Sequence, residues 1–221
     1  MKLISINVGQ PRVVDWKGKE YTTGIFKYPV DGPIVLRKLN LEGDKQVDLS
    51  VHGGPDRPVY VYPAEHYDFW KTALNQPVLL PWGSFGENFT SSGILEDDIH
   101  IGDHIRFGSV VLMPTQPRMP CVKLGIRFND AAMVKRFMET ERCGFYMAVV
   151  KEGEVTAGDK IEIVSRAENS MSIIELRRIY MAKDEPAAIQ RALNLPALSQ
   201  DWREQFLKRL ADCEPATTST T

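Results

Sequence analysis

A chain of 221 residues, 43% of them hydrophobic and 25% charged, is long enough for one large domain, or one domain with a small appendage, and can bury a core. A formal net charge of -2 and a pI of about 6.1 favour neither nucleic acid nor anionic lipid as a partner, so any anion site must be a local concentration of Lys and Arg. Three cysteines complete no disulfide set and fall short of the four thiolates of an iron–sulfur cluster, which predicts a reducing cytoplasm and an outside source for any electrons the protein uses.

The chain opens with MKLISINVGQPR, whose apolar stretch is broken by Asn7, Gly9 and Pro11 and reads as a first strand, not as a signal peptide. No apolar run approaches the roughly 20 residues that a bilayer requires. Strand patterns dominate to about Ser165. KLISINV, EYTTGIF, IVLRKLNL, PVYVYP, HIRFGSVVLMPT, GFYMAVV and DKIEIV are short runs rich in β-branched and aromatic residues, separated by turn residues. Gly-Asp marks three junctions, Gly43-Asp44, Gly102-Asp103 and Gly158-Asp159, because Gly accepts positive φ and Asp hydrogen-bonds back to the turn. This spacing predicts a barrel or sandwich. Two helices interrupt it: AEHYDFWKTAL, with Tyr67, Trp70 and Leu74 on one face, and NDAAMVKRFMETE, with Asn129 or Asp130 as N-cap and Met133, Phe137 and Met138 apolar.

After Ser165 the pattern becomes helical. SIIELRRIYMAKD opens with the capping box Ser172-x-x-Glu175, and DEPAAIQRALNL places Pro186 at a first helical position. SQDWREQFLKRLADC has Ser199 as cap and Trp202, Phe206, Leu207 and Leu210 as its stripe. Helices this short are not stable alone and should pack on one another and on the β-rich part. The expected organisation is a β domain over 1–165, a three-helix domain over 166–213 and a disordered tail over 214–221.

Cys121 stands out in PTQPRMPCVKLG. Cations near a thiol favour its ionised form, and Arg118 and Lys123 lie three and two residues away. Pro117 and Pro120 restrict the backbone, so the thiol is expected on a stiff loop. Buried apolar cysteines are commoner in general, but these charged surroundings argue against a core position. Cys143 precedes a strand and should pack, while Cys213 looks incidental. In SVHGGPDRPVYVYP, Gly53 and Gly54 can turn their amides toward an anion, with His52 and Arg57 as side-chain donors and Asp56 to orient them; a solvated turn between strands is the alternative. YTTGIFKYPV adds Thr22, Thr23 and Lys27, and GSFGENFTSSG adds Gly86, Asn88 and Thr90, small donor-rich loops suited to a polar cofactor. A zinc site has little support, since the Gly-Asp turn in HIGDHI breaks the helix that would align His100 with His104.

Taken in order, DLSVHGGPDRPVYVYP, GSFGENFTSSG, HIGDHIRFG, TQPRMPCVKL and VTAGDKIEIV resemble the MOSC domain family, named for the C-terminal domain of molybdenum cofactor sulfurases, and the helical tail is similar to its YiiM-like branch. The resemblance implies a mainly β fold, a MOSC-type β-barrel with a few inserted helices and a small C-terminal three-helix domain. It further implies a molybdenum–pyranopterin cofactor (molybdopterin) with Cys121 as the protein ligand to molybdenum, and reduction of N-hydroxylated compounds such as 6-N-hydroxylaminopurine. On that footing His52, Gly53, Gly54 and Arg57 are candidates to grip the cofactor's phosphate. Lys27, Thr22, Asn88, Thr115, Gln116 and Arg118 are further contacts, and His52 and Asp56 are candidate proton sources. The implied partners are a small N-hydroxylated substrate and a separate flavoprotein or ferredoxin-type reductase, with a homodimer as an open expectation and neither nucleic acid nor membrane involved. The alternative is a carrier that binds and hands on cofactor or sulfur without catalysing reduction.

Overall fold

The structure is a computed structural model that describes residues 1–47, 53–182 and 185–213, so the tail expected to be disordered lies outside the described residues. In chain order the strands are β1 (Lys2–Val8), β2 (Arg12–Trp16), β3 (Lys19–Thr23), β4 (Tyr28–Pro29), β5 (Ile34–Leu36), β6 (Val59–Pro63), β7 (Phe89–Ser92), β8 (His104–Phe107), β9 (Val110–Pro117), β10 (Phe145–Lys151), β11 (Gly153–Val155) and β12 (Ile161–Ser165). The helices are α1 (Glu65–Ala73), α2 (Val122–Phe128), α3 (Met133–Met138), α4 (Ile173–Met181), α5 (Pro186–Leu193) and α6 (Gln200–Cys213).

Eight strands form one sheet in the order β12-β8-β9-β10-β6-β7-β1-β4. Every pairing in it is antiparallel except β6 with β7. That parallel pair needs a crossover, which α1 and the loop after it provide. The sheet curls until β1 meets the lead into β12 at the bridge Lys2–Lys160. Leu3 N–H donates to Asp159 O (2.9 Å), Gly158 N–H to Leu3 O (2.7 Å) and Ile161 N–H to Met1 O (3.0 Å). No continuous ladder joins β1 to β12, so the expected barrel is nearly closed but not complete. The mainly β class with a helical C-terminal region stands. Among the described residues no helix is long and apolar enough to cross a membrane.

Alternation places Leu3, Ile6, Val59, Val61, Phe89, Ile105, Phe107, Leu112, Phe145 and Met147 inside, each with no exposed surface. Tyr67 and Trp70 of α1 are buried as the periodicity predicts, and Trp70 stacks on Phe137 with ring centroids 5.7 Å apart. The caps read from the sequence are present: Glu175 N–H donates to Ser172 Oγ (3.1 Å), Pro186 opens α5, and Trp202 N–H donates to Ser199 Oγ (3.4 Å). Ile173, Leu176, Ile189, Trp202 and Phe206 join the same core as the sheet. Leu207 departs from the expected stripe and is exposed. β2, β4, β7, β11 and α2 have no counterpart in the sequence reading. Asn129, expected to cap α3, instead ends α2 in the left-handed conformation at φ 50°, and α3 starts only at Met133.

Gly144 shows how tightly the entry to β10 is held. Its φ is +64°, and a Cβ there would lie 2.5 Å from Val61 O and 2.8 Å from the rings of Tyr60 and Tyr62. Gly144→Ala should therefore destabilise the fold by about 1–3 kcal/mol. Urea unfolding would show this as a lower midpoint at unchanged slope.

Candidate functional site

β9 and β10 pair with Tyr146 opposite Gln116 and Phe145 opposite Pro117, and the ladder's last contact is Arg118 N–H to Gly144 O at 3.2 Å. Pro120, just beyond, has no N–H to continue it. The chain leaves the sheet with Cys121 extended (φ -128°, ψ 177°) and turns at once into α2, where Leu124 N–H donates to Cys121 O at 2.9 Å. The thiol, expected on a loop, thus sits at the strand-to-helix junction, half-buried.

There it lines an open cleft. Five cations line the same cleft, Lys27, Lys45, Arg57, Arg118 and Lys123, against one carboxylate, Asp44, among the described residues. This is the local concentration of positive charge that a slightly acidic chain needs in order to hold an anion.

Two of these cations are handled differently. Lys27 pairs with Asp44, whose Oδ1 also accepts Gly9 N–H (2.8 Å) and whose Oδ2 accepts Asn88 Nδ2 (3.0 Å). Asn88 Oδ1 accepts Tyr60 N–H in turn (3.1 Å). Burial pulls the Lys27 amine below the ordinary lysine value, against the opposing pull of Asp44. This network is satisfied internally and builds the wall. Arg118 is equally buried, at 5% exposure, yet its Nη1 has no partner, while its Nη2 reaches Phe85 O at 3.5 Å and the guanidinium also interacts with the Tyr146 hydroxyl. Its guanidinium lies over Phe137 (4.8 Å) and Tyr60 (5.3 Å). A buried charged donor without an acceptor is costly, and an anionic ligand in the cleft would satisfy it.

The adjoining loop, residues 83–88, depends on Glu87. Its carboxylate accepts from Tyr67 Oη, Gly83 N–H (2.8 Å), Thr90 Oγ1 (3.0 Å) and Phe85 N–H (3.1 Å), which presents Phe85, Gly86 and Asn88 to the cleft. Burial pushes this carboxyl above the usual carboxylate range, against the hydrogen bonds it accepts.

The structure brings Cys121, Arg57, Lys27, Asn88 and Arg118 together, as the sequence motifs suggest. It separates others. Thr22 is exposed in the β2–β3 hairpin opposite Val13, and strand alternation turns Thr23 inward in its place. Asp56 points at α6, where its Oδ2 accepts Gln200 N–H (3.0 Å), so the expected proton source does not line the cleft. Gly53 and Gly54 are not among the lining residues either; Gly54 at φ +94° makes the turn that Arg57 N–H closes on Gly54 O (3.3 Å). Thr115 shares its hydroxyl between Asp56 O (2.7 Å) and Tyr146 O (3.2 Å), and Gln116 is buried; neither lines the cleft. His52 lies outside the described residues. Cys143 packs as expected, and burial pushes its thiol up.

Sequence reasoning missed Tyr60, Tyr146 and the lining role of Asp44. Tyr60 and Tyr146 are cross-strand partners with rings 5.2 Å apart, a juxtaposition that only the β6–β10 register reveals. Burial pushes the Tyr146 phenol above its ordinary value, against the pull of the Arg118 charge, so it keeps its proton at neutral pH. No three His, Cys, Asp or Glu side chains among the described residues converge on a metal-sized site. A metal at Cys121 would have to bring its other ligands with it.

Comparison with known proteins agrees with this layout. Residues 48–162 match the model of the MOSC domain, and residues 177–212 that of the YiiM-like, 3-alpha helix domain. The uncharacterized protein YflK of Bacillus subtilis is 42% identical over 94% of this chain and 93% of its own. A crystal structure of YiiM from Geobacillus stearothermophilus superposes with a TM-score of 0.80 at 34% identity, covering 95% of this chain and 98% of that one. A protein of Gibberella moniliformis named "Reductase" is 33% identical over 76% of this chain, a match that takes up 30% of its own length.

Lys27→Met should cost roughly 3–5 kcal/mol of stability, because Asp44 would remain buried and unpaired. Lys27→Met combined with Asp44→Asn should cost distinctly less than the single change. Denaturant midpoints for the two variants give the comparison.

Proposed function

This chain belongs to the MOSC domain family, with the YiiM-like three-helix addition, and from that membership we propose that it is an oxidoreductase that holds a molybdenum–pyranopterin cofactor in the cleft and reduces N-hydroxylated compounds. The observation that carries this reading is the presence of Cys121 and the unpartnered Nη1 of Arg118 in a single cation-lined cleft. A thiolate is a soft ligand that suits molybdenum beside a dithiolene, and Arg118, Arg57, Lys45 and Lys123 offer donors for the pterin's phosphate. The reductase name of the fungal relative agrees with this class of chemistry.

When bound, the cofactor supplies the two-electron chemistry that removes oxygen from an N–OH group. The chain's own residues bind, orient and protonate. Reduction of R–NH–OH to R–NH2 and water consumes two electrons and two protons. The electrons come from a separate flavoprotein or ferredoxin-type reductase. Tyr146, whose hydroxyl stays protonated and whose ring lines the cleft, is the candidate acid; its phenolate regains a proton from water. The half-buried thiol needs a reducing compartment, in keeping with a cytoplasmic location.

Protein purified from a cofactor-competent host should contain about one molybdenum per chain. Cys121→Ser should lose metal and turnover while its circular dichroism stays that of the wild type and its melting point that of wild type free of cofactor. Full reduction of an N-hydroxylated purine by Cys121→Ser would falsify the assignment. Metal-loaded wild type that fails to reduce such substrates with an artificial reductant would point to a carrier. Tyr146→Phe should lower kcat by roughly 10²-fold at unchanged molybdenum content.

A further inference from the structure

The three-helix addition reaches the cleft, and it does so at Arg57. The Arg57 guanidinium meets the Asp201 carboxylate at 2.5 Å, on the first turn of α6. The neighbouring residues pair as well, since Gln200 N–H donates to Asp56 Oδ2 at 3.0 Å. Two consecutive residues of the turn are therefore held by two consecutive residues of the helix. Thr115 clamps both segments: its hydroxyl reaches Asp56 O at 2.7 Å, and its carbonyl accepts Ser199 N–H at 3.3 Å.

We propose that Asp201 is an internal counter-anion for Arg57 that sets the anion affinity of the cleft, which makes the three-helix addition part of the ligand site. This rests on the reading that the cleft takes a phosphate-bearing ligand. Arg57 lines the cleft with its side chain 13% exposed, whereas the Asp201 carboxylate is 42% exposed. A phosphate arriving at Arg57 competes with Asp201 for the same guanidinium. Asp201 is the partner that can leave, because it returns to water at little cost while Arg57 remains inside. Ligand binding then exchanges one anion for another at Arg57 and releases one tether on the first turn of α6, the Gln200–Asp56 bond remaining. Asp201 is a positioning residue: it touches Arg57 and acts on the ligand only through it.

The test uses full-length chain purified from a host unable to make the cofactor, with inorganic pyrophosphate as the probe and its dissociation constant read by calorimetry. Asp201→Asn should tighten pyrophosphate binding about two- to fivefold, the range expected of a half-exposed ion pair. In an Arg57→Gln background the same change should have no effect. Unchanged or weaker binding by Asp201→Asn, or equal tightening without Arg57, overturns the proposal. A purely structural role would appear as a lower melting temperature with no change in affinity. The outcomes separate the proposal from the reading beneath it. Binding that depends on Arg57 and Arg118 but not on Asp201 sinks the proposal alone. Failure of wild type and Asp201→Asn to bind pyrophosphate at all sinks both.

Discussion

The pairing of β9 with β10, ending where Arg118 donates to Gly144, is the constraint on which the cleft depends. It sets Tyr146 opposite Gln116, and the β6–β10 register sets Tyr146 opposite Tyr60, so that the two phenols line the cleft side by side. It also decides where the chain leaves the sheet. Beyond Arg118, Pro120 has no N–H to extend the ladder, and the chain turns into α2 at Cys121, beside the charge of Arg118. Gly144 is obligatory there, because the carbonyl of Val61 and two tyrosine rings occupy the space of any Cβ. A thiol, a buried guanidinium and a phenol are brought together by backbone geometry before any ligand arrives.

Charge inside this wall is handled in two ways, and the contrast separates structure from function. Lys27 and Asp44 are both buried, and each is matched within the protein: Asp44 by an ammonium, an amide side chain and a backbone N–H, Lys27 by Asp44. Such a pair contributes little net stability but is costly to break, so it holds the loops at Gly9, Asp44 and Asn88 in one arrangement. Arg118 has the same burial without the same satisfaction. A low-dielectric setting strengthens its pull on whatever anion enters. Glu87 does for the adjoining loop what Asp44 does for its own, fastening backbone amides so that Phe85 and Gly86 line the cleft.

The C-terminal helices belong to this economy of charge as well as to the core. Their apolar residues, Ile173, Leu176, Ile189, Trp202 and Phe206, cover the sheet, which short helices must do to be stable. Their first contacts with the cleft are polar: Gln200 and Asp201 meet Asp56 and Arg57 across more than 140 residues of chain. The diglycine turn that the sequence suggests as an anion cradle is thereby held from behind by a helix, with its arginine in the cleft and its aspartate turned away.

Features that depend on neighbours in sequence were legible from the sequence. The runs of β-branched and aromatic residues became β1, β6, β10 and β12, and the Gly-Asp turns at Asp103 and Asp159, the N-caps at Ser172 and Ser199 and the helix start at Pro186 formed because each is satisfied within a few residues, whereas Asp44 took distant partners. Cys121 with its flanking cations was legible for the same reason. Tertiary structure decided whatever depends on register and long-range partners: Thr23 inward and Thr22 outward, Tyr146 in the cleft, Asp44 as the partner of Lys27, Asp56 committed to α6, and a sheet that curls without closing. Composition records which groups need partners. Only the folded chain, through hydrogen bonds between segments 17 to 144 residues apart, determines which ones meet.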